Sequence, residues 1–394
     1  MITSIIICLI CVVSACAFAT YLNPKLVDIA YDKNLLDSPS TRKLQKKPVP
    51  VIGGISVYLA AIAAAALCNL FIPTNQLYMA MAAISLIFFV GLLDDLTDLS
   101  PKKKFICQIS LVVLLYFTNT YKIDNMNGVF GIYDLPLWAS LSLSLLTGVG
   151  LMNAINMIDG VDGLSSGYGI CFCLFCGSFF LVYDDIVNAM FAFTFVGSLI
   201  PFFICNVFSE KYKMFIGDSG SLVMGMLAYV FCCTLLKESG TAVDSKNVSL
   251  ALTVFAVPIF DTLRVMTMRI VHGGSPFKAD RTHLHHIFVS LNMPHIFITL
   301  FILLIEVIIV GVWMLLFYIN LDVTVHTVLI IILCATIVWG VYVYLNYVRV
   351  HNPNRFNRYA DRIQRIRKKP DHFMVRISNW LDNPNKLRKI IDRI

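Results

Sequence analysis

About eleven stretches of this chain are apolar over nearly the length that a lipid hydrocarbon core demands, and no feature constrains its fold more. They fall near residues 2–22, 51–71, 77–93, 105–119, 136–154, 166–182, 188–205, 220–236, 248–270, 296–318 and 326–347. A helix needs about 20 apolar residues to cross that core. Only helices and closed barrels satisfy every backbone group in lipid, and these stretches lack the alternation of barrel strands. The expected fold is therefore an all-α polytopic integral membrane protein with about eleven transmembrane helices. With 58% hydrophobic and 14% charged residues, the composition excludes an ordinary soluble domain.

Charge sets the expected orientation, because short cytoplasmic loops hold an excess of Lys and Arg. Of the 31 such residues, all but Lys122, Lys237, Lys246, Arg264 and Arg269 lie on one set of loops and on the segment from Arg349. This predicts an N-terminus outside and a C-terminus in the cytosol, with residues 1–348 as the transmembrane catalytic domain and 349–394 as a basic cytosolic tail. Part of that tail has an amphipathic pattern, with Phe373, Val375, Ile377 and Trp380 as its apolar side. The net charge of +7 follows from topology and from attraction to anionic lipid, so it argues for a bilayer partner and against nucleic acid. The 12 cysteines fall almost wholly inside apolar stretches, which reads as buried thiols rather than a disulfide framework. Val13-Ser14-Ala15-Cys16 resembles a lipoprotein cleavage box, yet no basic residue precedes the apolar run.

Five polar clusters interrupt the apolar stretches, and the expected topology puts all of them on one side as one active site. Asp94, Asp95 and Asp98 close the third stretch. On a helix they share one face, and such charges repel unless a cation or a proton sits among them. A hard cation such as Mg²⁺ with phosphate oxygens suits them, as does a carboxylate acting as base; the competing reading is a solvated loop end. Asn153 and Asn156 can face one cavity, and Asp159-Gly160-x-Asp162-Gly163 forms a turn that admits close approach to a base or a sugar. A plain Asn/Asp/Gly turn competes with that reading, and a Ca²⁺ loop lacks its terminal Glu.

Asp218 stands between Gly217 and a helix start at Ser219 or Ser221, where free N–H groups favour a phosphate and an Asp can hold its metal. An N-cap is the alternative role for it, and Phe215 is either a base-stacking ring or an interfacial anchor. Arg281, His283, His285 and His286 suit diphosphate oxygens; a zinc site would need a different spacing and a further ligand. Asp37 and Lys47 flank the first basic loop, where Pro48 and Pro50 stiffen the approach of Lys47 to a phosphate.

Taken in order from Asp37 to His286, these motifs resemble the polyprenyl-phosphate N-acetylhexosamine-1-phosphate transferases. The peptidoglycan subfamily carries three consecutive His in the last cytosolic loop. Asp280-Arg281-Thr282-His283-Leu284-His285-His286 looks instead like the bacterial branch that uses UDP-GlcNAc to start O-antigen, common-antigen or teichoic-acid synthesis. The resemblance implies attack by undecaprenyl phosphate on the β-phosphorus of UDP-GlcNAc, giving lipid-diphosphate-GlcNAc and UMP, at the cytosolic face of the inner membrane. It implies Mg²⁺, with Mn²⁺ as a substitute, and two copies as a plausible assembly.

By motif position, Asp218 would ligate the metal, and Asp94 and Asp95 would orient or deprotonate the lipid phosphate. Asp159 would join the catalytic set or hold the uridine end with Lys47, Asn153, Asn156, Asp162 and Phe215. Asp37 and Lys104 would contact substrate, and Arg281 with His283, His285 and His286 would take the diphosphate and sugar. Asp98 replaces a Lys of the peptidoglycan subfamily, which leaves its role open. The sequence also leaves open another UDP-N-acetylhexosamine or UDP-MurNAc-pentapeptide as donor. An intramembrane prenyltransferase would need a second Asp-rich motif, and a transporter would carry ionisable residues at midplane in broken helices.

Overall fold

A computed structural model describes residues 2–37, 48–70, 72–237, 246–276, 282–319, 321–367 and 382. Lys47, Arg281 and the expected amphipathic stretch around Phe373–Trp380 lie outside the described residues. The chain is helical almost throughout. In order, the helices are α1 (Ile2–Asp32), α2 (Gly53–Cys68), α3 (Tyr78–Thr97), α4 (Pro101–Phe117), α5 (Leu137–Ile158), α6 (Leu164–Val182), α7 (Ile186–Phe208), α8 (Gly217–Leu236), α9 (Asn247–Val254), α10 (Ala256–Val271), α11 (Leu284–Ser290), α12 (His295–Phe317), α13 (Val323–His351) and α14 (Pro353–Arg367). A two-residue strand β1 (Leu36–Asp37) pairs antiparallel with β2 (Val49–Pro50).

Every apolar stretch read from the sequence is helical, but not every one spans by length. Among the described residues eight helices are long and apolar enough to cross a bilayer, and a ninth crossing is available if α9 and α10, bent by 77°, count as one. Helices α2 and α4 are shorter, at 16 and 17 residues. Large apolar side chains such as Leu300, Leu304, Val307, Ile308 and Leu315 on α12 are exposed, as expected of a helix whose solvent is hydrocarbon. The chain is thus a multi-pass membrane protein. Helix α13 runs to His351, past the boundary at residue 348 expected for the tail.

The chain divides into two compact units, one holding Met1–Leu111 and Asp162–Leu227, the other Val112–Val161 and Ala228–Lys369. In the first unit α1 packs along α7 and α2, and α6 along α7. Asn23, next to Pro24 in α1, accepts from Ser56 Oγ on α2 and donates to Cys205 Sγ on α7, so one buried amide pins three helices. In the second unit α10 packs against α5, α12 and α13. All twelve cysteines are unbridged, and most are buried, as an apolar thiol should be.

Candidate active site

The first unit gathers its charged residues where three helix ends meet. Helix α2 begins without a side-chain cap, and its first N–H groups, of Gly53 and Gly54, donate to the carbonyls of Phe215 and Ile216 at 2.9 Å each. Phe215 N–H in turn donates to Pro50 O at 2.8 Å, so the segment before α8 is laced to the segment before α2. That lacing leads into Gly217, where the chain turns with φ +67° to start α8. A Cβ there would lie 2.6 Å from Asp95 Oδ2 and 2.6 Å from Val51 Cγ1, so only glycine fits.

Asp95, in the last turn of α3, accepts from Asp218 N–H at 2.8 Å and from Ser219 N–H at 3.0 Å. It therefore caps the start of α8 from a distant helix, and a carboxylate there also meets the positive end of the helix dipole. Asp94 points elsewhere. One oxygen accepts from Leu99 N–H at 2.7 Å, and the other meets Lys104 Nζ at 3.0 Å. The same ammonium meets Asp218 Oδ2 at 2.9 Å, so Lys104 bridges two carboxylates. Burial works against the Lys104 charge, but Asp218 and Asp94 outweigh it and hold its pKa above the ordinary value, which keeps the ammonium charged through neutral pH. Asp98 lies exposed, in a left-handed conformation just past α3, outside this cluster.

Elsewhere in the same unit, Asp162 pairs with Lys213 at 2.7 Å. Asn206 on α7 accepts from Gly163 N–H at 2.6 Å and donates to Met214 O at 2.8 Å, tying the Asp162 turn to the strand-like segment that carries Phe215. Phe215 is half-buried, and Asp37 is half-buried in β1.

The second unit organises its histidines around a residue that the sequence reading passed over. Asp261 on α10 is 1% exposed. It meets His283 Nδ1 at 2.9 Å, Arg264 Nη2 at 2.7 Å and the N–H of Leu284 at 3.1 Å, and Arg264 also donates to Thr282 O at 2.6 Å. A carboxylate only accepts, so His283 Nδ1 carries its proton and Nε2 is left as the acceptor nitrogen. His285 is buried, its Nε2 without a hydrogen-bond partner among the described residues, and it packs against Gly160. Burial, then the neighbouring His286 and His283, push its pKa down to about 3. It is thus neutral at physiological pH and titrates nothing there. Asp159 ends α5 half-buried, and Asn153 donates back to Val149 O at 2.8 Å.

Because a Cβ on Gly160 would sit 2.8 Å from His285 Nε2, Gly160→Ala should force the ring out of place. Overpacking of that kind costs roughly 1–3 kcal/mol, so a melting temperature several degrees lower in detergent is the expected result.

The structure brings some of the expected residues together and gives others separate partners. Asp94, Lys104 and Asp218 come together, whereas the two oxygens of Asp95 accept from the first N–H groups of α8. Asp261, Arg264, Lys213 and Asn206 were missed. Asp261 and Arg264 did leave a signal, two ionisable residues one turn apart inside an apolar stretch, and such residues are seldom idle.

These features define the class first: a polytopic helical membrane protein with a lysine-bridged acidic cluster at helix ends. A family model, glycosyl transferase family 4, matches residues 77–236. An undecaprenyl-phosphate alpha-N-acetylglucosaminyl 1-phosphate transferase of Escherichia coli O157:H7 is 30% identical over 264 residues, covering 66% of this chain and 70% of the relative. The protein of that name from Yersinia pestis is 31% identical over 265 residues, with the same coverage. A probable undecaprenyl-phosphate N-acetylglucosaminyl 1-phosphate transferase of Bacillus subtilis is 27% identical over 275 residues, covering 70% of this chain and 75% of the relative. The chain belongs to glycosyl transferase family 4, the family of polyprenyl-phosphate N-acetylhexosamine-1-phosphate transferases that its motifs resemble.

Proposed function

We propose that the protein transfers GlcNAc-1-phosphate from UDP-GlcNAc to undecaprenyl phosphate, at the cytosolic face of a bacterial inner membrane. An oxygen of the lipid phosphate attacks the β-phosphorus, the bond from that phosphorus to the bridging oxygen breaks, and UMP leaves with that oxygen. The observation that carries this reading is the pair Asp94 and Asp218 held on one ammonium, Lys104. Phosphoryl transfer asks mainly for positioning and charge neutralisation, and a lysine beside two carboxylates at a helix start provides both.

The same pair fits Mg²⁺. It already accommodates a cation, its donors are hard oxygens, and Mg²⁺ ordinarily takes one or two carboxylates and completes its shell with water and substrate phosphate. When bound, Mg²⁺ would supply neutralisation of the diphosphate oxygens, with Asp218 and Asp94 as its holders. Lys104 would face the lipid phosphate, and Asp94 would orient that phosphate or take its proton.

We assign Asn156, Asp159 and Asp162 to the uridine end, and His283 Nε2 with His286 to the diphosphate and sugar. The test is UMP release by purified protein in detergent with undecaprenyl phosphate and Mg²⁺, offering UDP-GlcNAc, UDP-GalNAc and UDP-MurNAc-pentapeptide in turn. Release with UDP-GlcNAc alone, abolished by EDTA and restored by Mg²⁺, is the expected result. Release with only the pentapeptide donor, or persistence in EDTA, would overturn it.

A further inference from the structure

We propose that Glu306 is a positioning residue, whose carboxyl fixes the break between α9 and α10 and so sets the pose in which α10 presents Asp261 to His283. The inference rests on the proposed function only for its kinetic readout. Glu306 stands at the midpoint of α12, roughly 17 Å from either end at the helical rise, and is 2% exposed. A carboxyl at that depth in an apolar helix is costly without a task.

Its task lies opposite. The 77° bend at Phe255 interrupts the helical ladder and starts α10 anew inside the protein. Phe255, the N-cap, offers no side-chain acceptor. Pro258 has no N–H, and Ile259 N–H already reaches Phe255 O at 3.2 Å. Val257 N–H donates to Glu306 Oε2 at 3.1 Å. The acceptor missing from the local sequence is thus supplied by α12, and it meets the positive end of the α10 dipole.

From Val257 to Asp261 is one helical turn, on one face. The next turn is gripped by α13: Trp339 Nε1 donates to Phe260 O at 2.8 Å, and the Arg264 guanidinium lies 3.5 Å over the Tyr342 ring. Helix α10 therefore has one anchor at its start and two beside its carboxylate, all on the two helices that follow the histidine segment. The family model ends at residue 236, before any of them. A carboxylate one turn from a loosened end would no longer fix the Nδ1–H of His283 or the N–H of Leu284, and the imidazole would lose its aim.

The experiment compares the full chain with Glu306→Leu, Glu306→Gln and Trp339→Phe in detergent. It measures initial rates of UMP release against UDP-GlcNAc and against undecaprenyl phosphate, and hydrogen exchange at the amides of Val257 and Leu284. Glu306→Leu should raise the KM for UDP-GlcNAc by about tenfold, with kcat and the lipid KM changed less than about threefold, and should speed exchange at both amides. Glu306→Gln keeps an oxygen acceptor and should restore both readouts. Trp339→Phe should repeat the KM signature more weakly. An unchanged KM and unchanged exchange in Glu306→Leu would overturn the proposal, as would a Gln variant as impaired as the Leu variant. Should Glu306→Leu not fold, Trp339→Phe decides: a donor KM equal to that of the unmodified protein rejects the proposal. If the unmodified protein releases no UMP with any donor, the proposed reaction fails, while exchange at Leu284 still decides the role of Glu306.

Discussion

Asp218→Asn should lower the turnover of UMP release by about 10³-fold while leaving the melting temperature nearly unchanged, a size typical of removing one preorganised electrostatic group from a site of this kind. The structural reason for the split is that Asp218 has two separate attachments. Its backbone N–H caps α8 through Asp95 at 2.8 Å, and an Asn keeps that bond. Its side chain meets Lys104 at 2.9 Å, and an amide cannot neutralise the ammonium or hold a divalent cation with the same strength. Asp94→Asn should fall into the same class, because Asp94 shares Lys104 and an Asn oxygen can keep the bond from Leu99 N–H. Asp98→Asn is the control: the residue is exposed outside the cluster, and its variant should retain activity within about twofold, as expected of a surface change. Turnover unchanged in both Asp94→Asn and Asp218→Asn would remove the chemical centre assigned here.

Gly217→Ala should be worse still, because it attacks the geometry that aims Asp218. A residue with a Cβ pays about 1–2 kcal/mol to adopt the left-handed conformation held at φ +67°. The new methyl would also lie 2.6 Å from Asp95 Oδ2 and from Val51 Cγ1, far inside contact distance. Asp95 must then withdraw, which strips the first turn of α8 of two charge-assisted hydrogen bonds, each worth roughly 1.5–3 kcal/mol when the acceptor is ionised. The expected outcome is activity below about 1% of the unmodified protein together with a marked fall in melting temperature. Asp95→Asn is the informative companion. It keeps one oxygen acceptor without the charge, so it should show the same direction of change in both activity and melting, more mildly. An Asp95→Asn protein of full stability that is wholly inactive would instead make Asp95 part of the chemistry and not the support of α8.

The sequence by itself determined where the long apolar helices are. Lipid leaves a backbone no partner but itself, so an apolar run of sufficient length becomes helix whatever it packs against, and every such run from Ile2 to His351 did so. Motif chemistry was legible for the same local reason: acidic and glycine residues at the ends of apolar runs mark helix termini, as Asp94 and Gly217 show. Which of those groups meet was not legible. Asp95 caps a helix that starts more than a hundred residues later, and no periodicity in α3 announces the vacant N–H groups of α8. Asp261 drew no reading from the sequence, and its partners Arg264 and His283 come to it only where the fold sets α10 at 77° to α9 and brings the histidine segment alongside. Only tertiary structure decided these pairings, because a buried charge takes its role from the partner that packing supplies, and that partner is set by the arrangement of helices rather than by neighbours in the chain.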